Sequence, residues 1–142
     1  MRSILFIAAL MLTLSTSAQN ITLENGLYCI KGKAYTGAIT LSNTTGQQQS
    51  LLNVVDGKLQ GDAVYYYESG KVMETGNFIA GLRNGIWSRY DKNGCKTGEA
   101  QYFNGQKHGI GTIWDENGIK RYEMTYMHGG KSNTWFKWDE NG

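Results

Sequence analysis

The sequence predicts an all-β fold, an array of antiparallel β-hairpins with a 24-residue repeat, laid side by side in one elongated, twisted sheet. Three observations carry that prediction. Glycines fall in three interleaved ladders, Gly57/Gly81/Gly105/Gly129, Gly37/Gly61/Gly85/Gly109 and Gly46/Gly70/Gly94/Gly118/Gly142, each with a step of 24. Aromatic residues keep the same count, as Tyr66/Tyr90/Trp114/Trp138 and as Phe78/Tyr102/Tyr126. Asn-Gly pairs separate short aliphatic and aromatic runs, the strongest local hairpin signal, because both residues tolerate the positive φ of a type I′ turn. A fixed period of this length marks a repeat architecture, and no segment has helical periodicity.

The elements follow in order. Residues 1–18 have the layout of a secretory signal peptide: Arg2, an apolar run from Ile4 to Leu14, then Ser15-Thr16-Ser17-Ala18 with small residues at the −3 and −1 positions of a cut after Ala18. The run is too short for a membrane span, which needs about 20 apolar residues. The expected location is therefore periplasmic or extracellular. Residues 19–32 are a short lead-in with its own Asn25-Gly26, and the repeat domain covers 33–142. Its first copy, 33–56, is degenerate: it keeps Gly37 and Gly46 but has Ser42 where later copies place an aromatic. Copies 57–80, 81–104 and 105–128 are complete, and 129–142 is truncated at its hairpin turn. Within one unit, Gly81–Gly85 reads as a loop, Ile86–Tyr90 as a strand, Asp91–Gly94 as a turn, and Lys96–Phe103 as the returning strand.

Composition removes several function classes. Fourteen Lys and Arg against twelve Asp and Glu leave a net charge of +2, too balanced for a general nucleic-acid binder. His108 and His128 are twenty residues apart at different repeat positions, and no Ser, Cys or carboxylate accompanies either at an informative spacing. No catalytic residue, metal site or cofactor site is expected. Asp91, Asp115 and Asp139 each stand three residues before a turn Gly; Asp115-Glu-Asn-Gly118 is a fragment of a calcium loop, with Ile119 where another ligand is needed, so turn chemistry is expected of them. Cys29 and Cys95 are nearly three repeats apart. At roughly 10 Å per repeat, that is too far for an intramolecular disulfide.

Stacked hairpins turn sequence columns into surface features. Tyr66/Tyr90/Trp114/Trp138 becomes an aromatic ladder down one face, flanked by Phe78/Tyr102/Tyr126, with Trp87 and Trp135 pointing outward. Two roles are open to the ladder. It is either the core of a thin sheet, or, together with Trp87 and Trp135, a binding face for an extended peptide, glycan or lipid. Lys58, Arg83, Lys107 and Lys131 form a candidate basic edge. Its attraction to an anionic membrane amounts to roughly 4 kcal/mol, only millimolar-grade.

The units Gly-x-x-x-Gly, Ile-Trp-x-x-Tyr-Asp-x-Asn-Gly and Gln-Tyr-Phe-Asn-Gly resemble the MORN repeat (membrane occupation and recognition nexus), and more narrowly its bacterial variant often labelled antitoxin-like. The resemblance covers about residues 33–142 and implies an elongated hairpin scaffold that binds proteins or lipids. It departs at the first copy and at Asn133, which stands in a Gly position. The expected function is that of a secreted, non-enzymatic protein-interaction scaffold, with an unknown protein partner adding to the strand at residues 134–139 by β-augmentation. An alternative comes from Val64–Gly76, which resembles the choline-binding repeats of cell-wall proteins and implies an envelope module for a glycan or choline-like ligand. An antitoxin-like binding role rests on the family label alone.

Overall fold

The computed structural model describes residues 20–139. The leader at 1–18 and the turn at Asn141-Gly142 lie outside the described residues. Strands β1 (Ile21–Glu24), β2 (Leu27–Ile30) and β3 (Lys33–Ala34) form a small sheet of their own. The rest is a ten-stranded antiparallel sheet of β4 (Gly37–Ser42), β5 (Gln48–Val55), β6 (Lys58–Leu59), β7 (Gly61–Tyr66), β8 (Val72–Ile79), β9 (Leu82–Tyr90), β10 (Lys96–Phe103), β11 (Gln106–Trp114), β12 (Lys120–Met127) and β13 (Gly130–Lys137). From β7 to β13 every strand pairs with its sequence neighbours, which is the hairpin array read from the 24-residue period. The lead-in is not part of that array. It docks at the start of the 57–80 copy through a backbone bond, Tyr28 N–H to the Gly57 carbonyl at 2.8 Å.

Two local readings need correction. In the array from β7 to β13, type I′ geometry, with positive φ at both central residues, occurs at one end of the hairpins only, as in Asn104-Gly105 (φ 48° and 79°), Ala80-Gly81 and His128-Gly129. At Asn93-Gly94 and Asn117-Gly118 the glycine alone is left-handed. There the Asp91 and Asp115 carboxylates accept the N–H groups that the wider turn leaves over, from Asn93 and Cys95 and from Asn117 and Ile119, at 2.8–2.9 Å. The second correction concerns Gly81–Gly85. Leu82–Tyr90 is one continuous nine-residue strand. Gly85 and its counterpart Gly109 sit inside strands, with positive φ, beside register shifts rather than in loops.

The core is not the ladder at Tyr66, Tyr90, Trp114 and Trp138. Those rings are half-buried at the turn ends of their strands. Leu52, Ala63, Phe78 and Trp87 form the buried cluster, with Leu59, Tyr65 and Tyr102 packed against it. Trp87, expected outside, is 3% exposed. Strand alternation places Trp87 and Tyr90 on opposite faces, and the face that closes is the one bearing Trp87.

Candidate functional site

The face bearing Trp87 is built from four columns that run across the strands. Val54, Phe78, Tyr102 and Tyr126 stand opposite Leu59, Arg83, Lys107 and Lys131 in direct register. Beside them run Leu52/Gly76/Ala100/Met124 and Ala63/Trp87/Gly111/Trp135. At Trp87 the columns lock together. Its ring meets Phe78 edge-on, with centroids 5.0 Å apart, and lies near Tyr102 at 6.3 Å. Its Nε1 donates to the Asn77 carbonyl at 3.2 Å. Arg83 covers the indole with its guanidinium 3.8 Å from the ring centroid, and donates to both oxygens of Glu74 at 2.8 and 3.2 Å. A planar, doubly bonded guanidinium stacked on a ring is a lid that lysine cannot reproduce. Burial raises the Tyr65 phenol above its ordinary range, and the nearby Arg83 charge opposes that shift.

One repeat further on, the face opens. Gly111 replaces Trp87 in its column, opposite Ala100, and Gly98 lies alongside. These small residues floor a cavity of about 370 Å³ bounded by Trp87, Tyr102, Lys107, Met124 and Tyr126. A second cavity of about 750 Å³, lined by Ile113, Tyr122, Met124, Lys131, Ser132 and Trp135, adjoins it and shares Ile113 and Met124. Together they form a groove across β9 to β13 with aromatic walls. Trp135 stands at its far end, 61% exposed.

The groove is lined by both signs of charge, Glu74 and Glu99 with Arg89 and Lys107 in the first cavity and Lys131 in the second. Lys107 lies over Tyr126 with its Nζ 4.9 Å from the ring centroid. Arg83, Lys107 and Lys131 therefore belong to the aromatic face and not to a solvated basic edge; Lys58 is exposed, one residue out of step with them beside Leu59. Both acids are already held, Glu74 by Arg83 with Arg89 at 3.8 Å, and Glu99 by Lys96. Neither Lys107 nor Lys131 makes an ion pair among the described residues.

The other face carries the former ladder. Lys120 pairs with Glu123 at 2.8 Å and lies 5.1 Å from the Trp138 ring centroid; Lys96 pairs with Glu99 and lies 5.8 Å from Trp114. Each ring is thus held by a lysine from the preceding strand, so these aromatics brace the turn ends. Burial alone would raise the Asp115 carboxyl, but N–H bonds from Ile119 and Asn117 and the Arg121 guanidinium hold it below its ordinary 3.8. Cys29 is buried and Cys95 exposed, both as free thiols. Among the described residues no group of three or more His, Cys, Asp or Glu side chains is placed to hold a metal.

What sequence reasoning missed is the Ala63/Trp87/Gly111/Trp135 column. It keeps the 24-residue step, but only two of its members are aromatic, so it does not stand out as a ladder.

The family model for the MORN repeat variant matches residues 59–80 and 107–128, two periods of 24 apart and in phase with the glycine ladders. A search of curated proteins finds no significant match. Among solved structures, a chain of the crystal structure of the GtfA/B complex bound to UDP and GlcNAc aligns with 76% of this chain at 8% identity and a TM-score of 0.34; the aligned part is 23% of that chain. The family match falls on complete hairpin units of an open antiparallel sheet built from such units, and over residues 59–80 and 107–128 the chain is similar to the MORN repeat variant.

Proposed function

We propose that this chain is an exported, non-enzymatic binding module that receives an extended, acidic segment of a protein partner in the groove between Trp87 and Trp135. MORN repeats in general bind proteins or membrane lipids without catalysis. The observation that carries the finer reading is the open groove itself: a floor of Gly98, Ala100 and Gly111 beneath aromatic walls, with Lys107 and Lys131 without carboxylate partners among the described residues. Crossing four strand intervals at about 4.8 Å each gives roughly 19 Å, the reach of about six extended residues. An extended chain supplies apolar side chains for the rings and carboxylates for the lysines. A neutral glycan leaves the lysines unused. The apolar run from Ile4 to Leu14 supports export, and N-terminal sequencing of the mature protein is expected to begin after Ala18.

A second reading has its own observation. Among the described residues β13 pairs with β12 alone and carries the exposed Trp135 and Phe136, so a partner strand has backbone groups to add to. Partner capture with Trp135→Ala, Lys131→Glu and Phe136→Pro variants separates the two. Groove binding predicts losses of about tenfold or more for the first two. Edge addition predicts loss chiefly for the proline variant. Tryptophan fluorescence titrations with phosphocholine and cell-wall glycans test the ligand alternative; saturable binding there, weakened by Trp135→Ala and with no protein captured by the wild type, overturns the protein reading.

A further inference from the structure

The chain has two histidines in all, and the fold makes them neighbours: the His108 and His128 ring centroids are 5.6 Å apart, at an interplanar angle of 56°. Their separation of twenty residues, uninformative on a 24-residue period, is a recurring contact of this sheet. Each type I′ turn stacks on the strand one repeat back, as in the Gly129 N–H bond to the Lys107 carbonyl at 2.9 Å. In the first two copies the side chain at the strand position accepts the N–H of the turn residue, Asp56 N–H to Thr36 Oγ1 and Ala80 N–H to Gln60 Oε1, both 2.9 Å; the third copy has Asn84 and Asn104 there, without that bond. At the fourth copy both positions are imidazoles. No such bond forms there, and the rings face one another at the surface.

We propose that His108 and His128 form a surface site for one divalent transition-metal ion of the zinc or nickel class. Two imidazole nitrogens bound at about 2.1 Å with a near-tetrahedral angle put their ring centroids about 5.3 Å apart, close to the observed 5.6 Å. Neutral imidazole suits this class of metal, and water completes the coordination. Lys107, the nearest cation in sequence, is turned to the opposite face over Tyr126, and Phe103 flanks His108 with centroids 6.1 Å apart. A bound ion clips the last type I′ turn onto β11, so it raises the stability of the C-terminal end of the sheet by binding the folded state alone.

The test uses the full mature chain, stripped with chelator and titrated with Zn2+ and with Ni2+. One equivalent is expected to bind, shifting the imidazole NMR signals of both histidines together and raising the melting temperature. His108→Gln and His128→Asn borrow residues that the repeat itself carries at these positions, Gln60 and Asn104, and asparagine tolerates the positive φ of 47° at His128. Each is expected to weaken binding at least tenfold and to abolish the metal-dependent melting shift. Absence of stoichiometric binding by the wild type, a shift of only one histidine, or unchanged affinity in either variant overturns the site. The imidazole signals of the wild type decide the question even where a variant fails to fold.

Discussion

Trp87 and Trp135 occupy the same column of the repeat, two units apart, and end in opposite environments: one is 3% exposed, the other 61%. The difference lies in the residue beside each. Next to Trp87 stands Gly76, where an added Cβ would sit 2.1 Å from the indole, so the ring lies flat against bare backbone and Phe78, Tyr102 and Arg83 close over it. Next to Trp135, directly opposite in register, stands Met124 where the closed half has a bare glycine, and the ring is exposed. Between them the pair is Ala100 and Gly111; the Tyr126 ring lies over Gly111, where an added Cβ would sit 2.9 Å from it, and the groove opens beside that ring. One backbone, repeated without insertion, therefore supports a closed half and an open half, and pairwise side-chain volume decides which is which.

Trp87→Ala gives the largest test of this contrast. Emptying the core where Tyr65, Phe78 and Tyr102 converge is expected to cost about 3–5 kcal/mol in urea unfolding, whereas Trp135→Ala stays within about 0.5 kcal/mol. Equal costs would erase the distinction between the halves. A smaller effect is expected of Met124→Gly, which recreates the Gly76 arrangement beside Trp135. The 19F signal of a 5-fluorotryptophan at 135 is expected to lose most of its solvent isotope shift, for a stability change of about 1 kcal/mol or less. An unchanged isotope shift would mean that Met124 is not what props the ring out.

The smallest effect is confined to the turns. Asp115 closes a turn of the open half, while the same repeat position in the closed half is Tyr67, with no carboxylate to accept the turn N–H groups. The folded-state pKa of Asp115 is held below 3.8, so its contribution is full above that value and is lost as pH falls through the depressed one. Hydrogen exchange at Asn117 and Ile119 is expected to accelerate below about pH 3.8 beyond its intrinsic change, with Asp115→Asn flattening the response and the 67–71 turn showing none.

Much of the fold is legible in the residues alone. The returning strand Lys96–Phe103 has the bounds that the repeat predicts, and Asp91 and Asp115 do the turn work expected of them. The site is less legible. Alternation puts Trp87 and Tyr90 on opposite faces, which holds, but the more regular aromatic column draws the expected core to the wrong side. Arg83 and Lys107 look like loop charges because Gly85 and Gly109 read as loop residues; as bulges inside strands, they leave both cations on the aromatic face.

The sequence by itself determined the period, the hairpin succession and the places where the chain reverses. These follow from φ preferences and two-residue alternation, which act over a few neighbouring residues and survive repetition. Only the tertiary structure decided which face closes, where the groove opens, and that the two histidines meet. Each of these depends on the volumes and side chains that adjacent strands bring to one point, and residues twenty or more apart meet there through register alone.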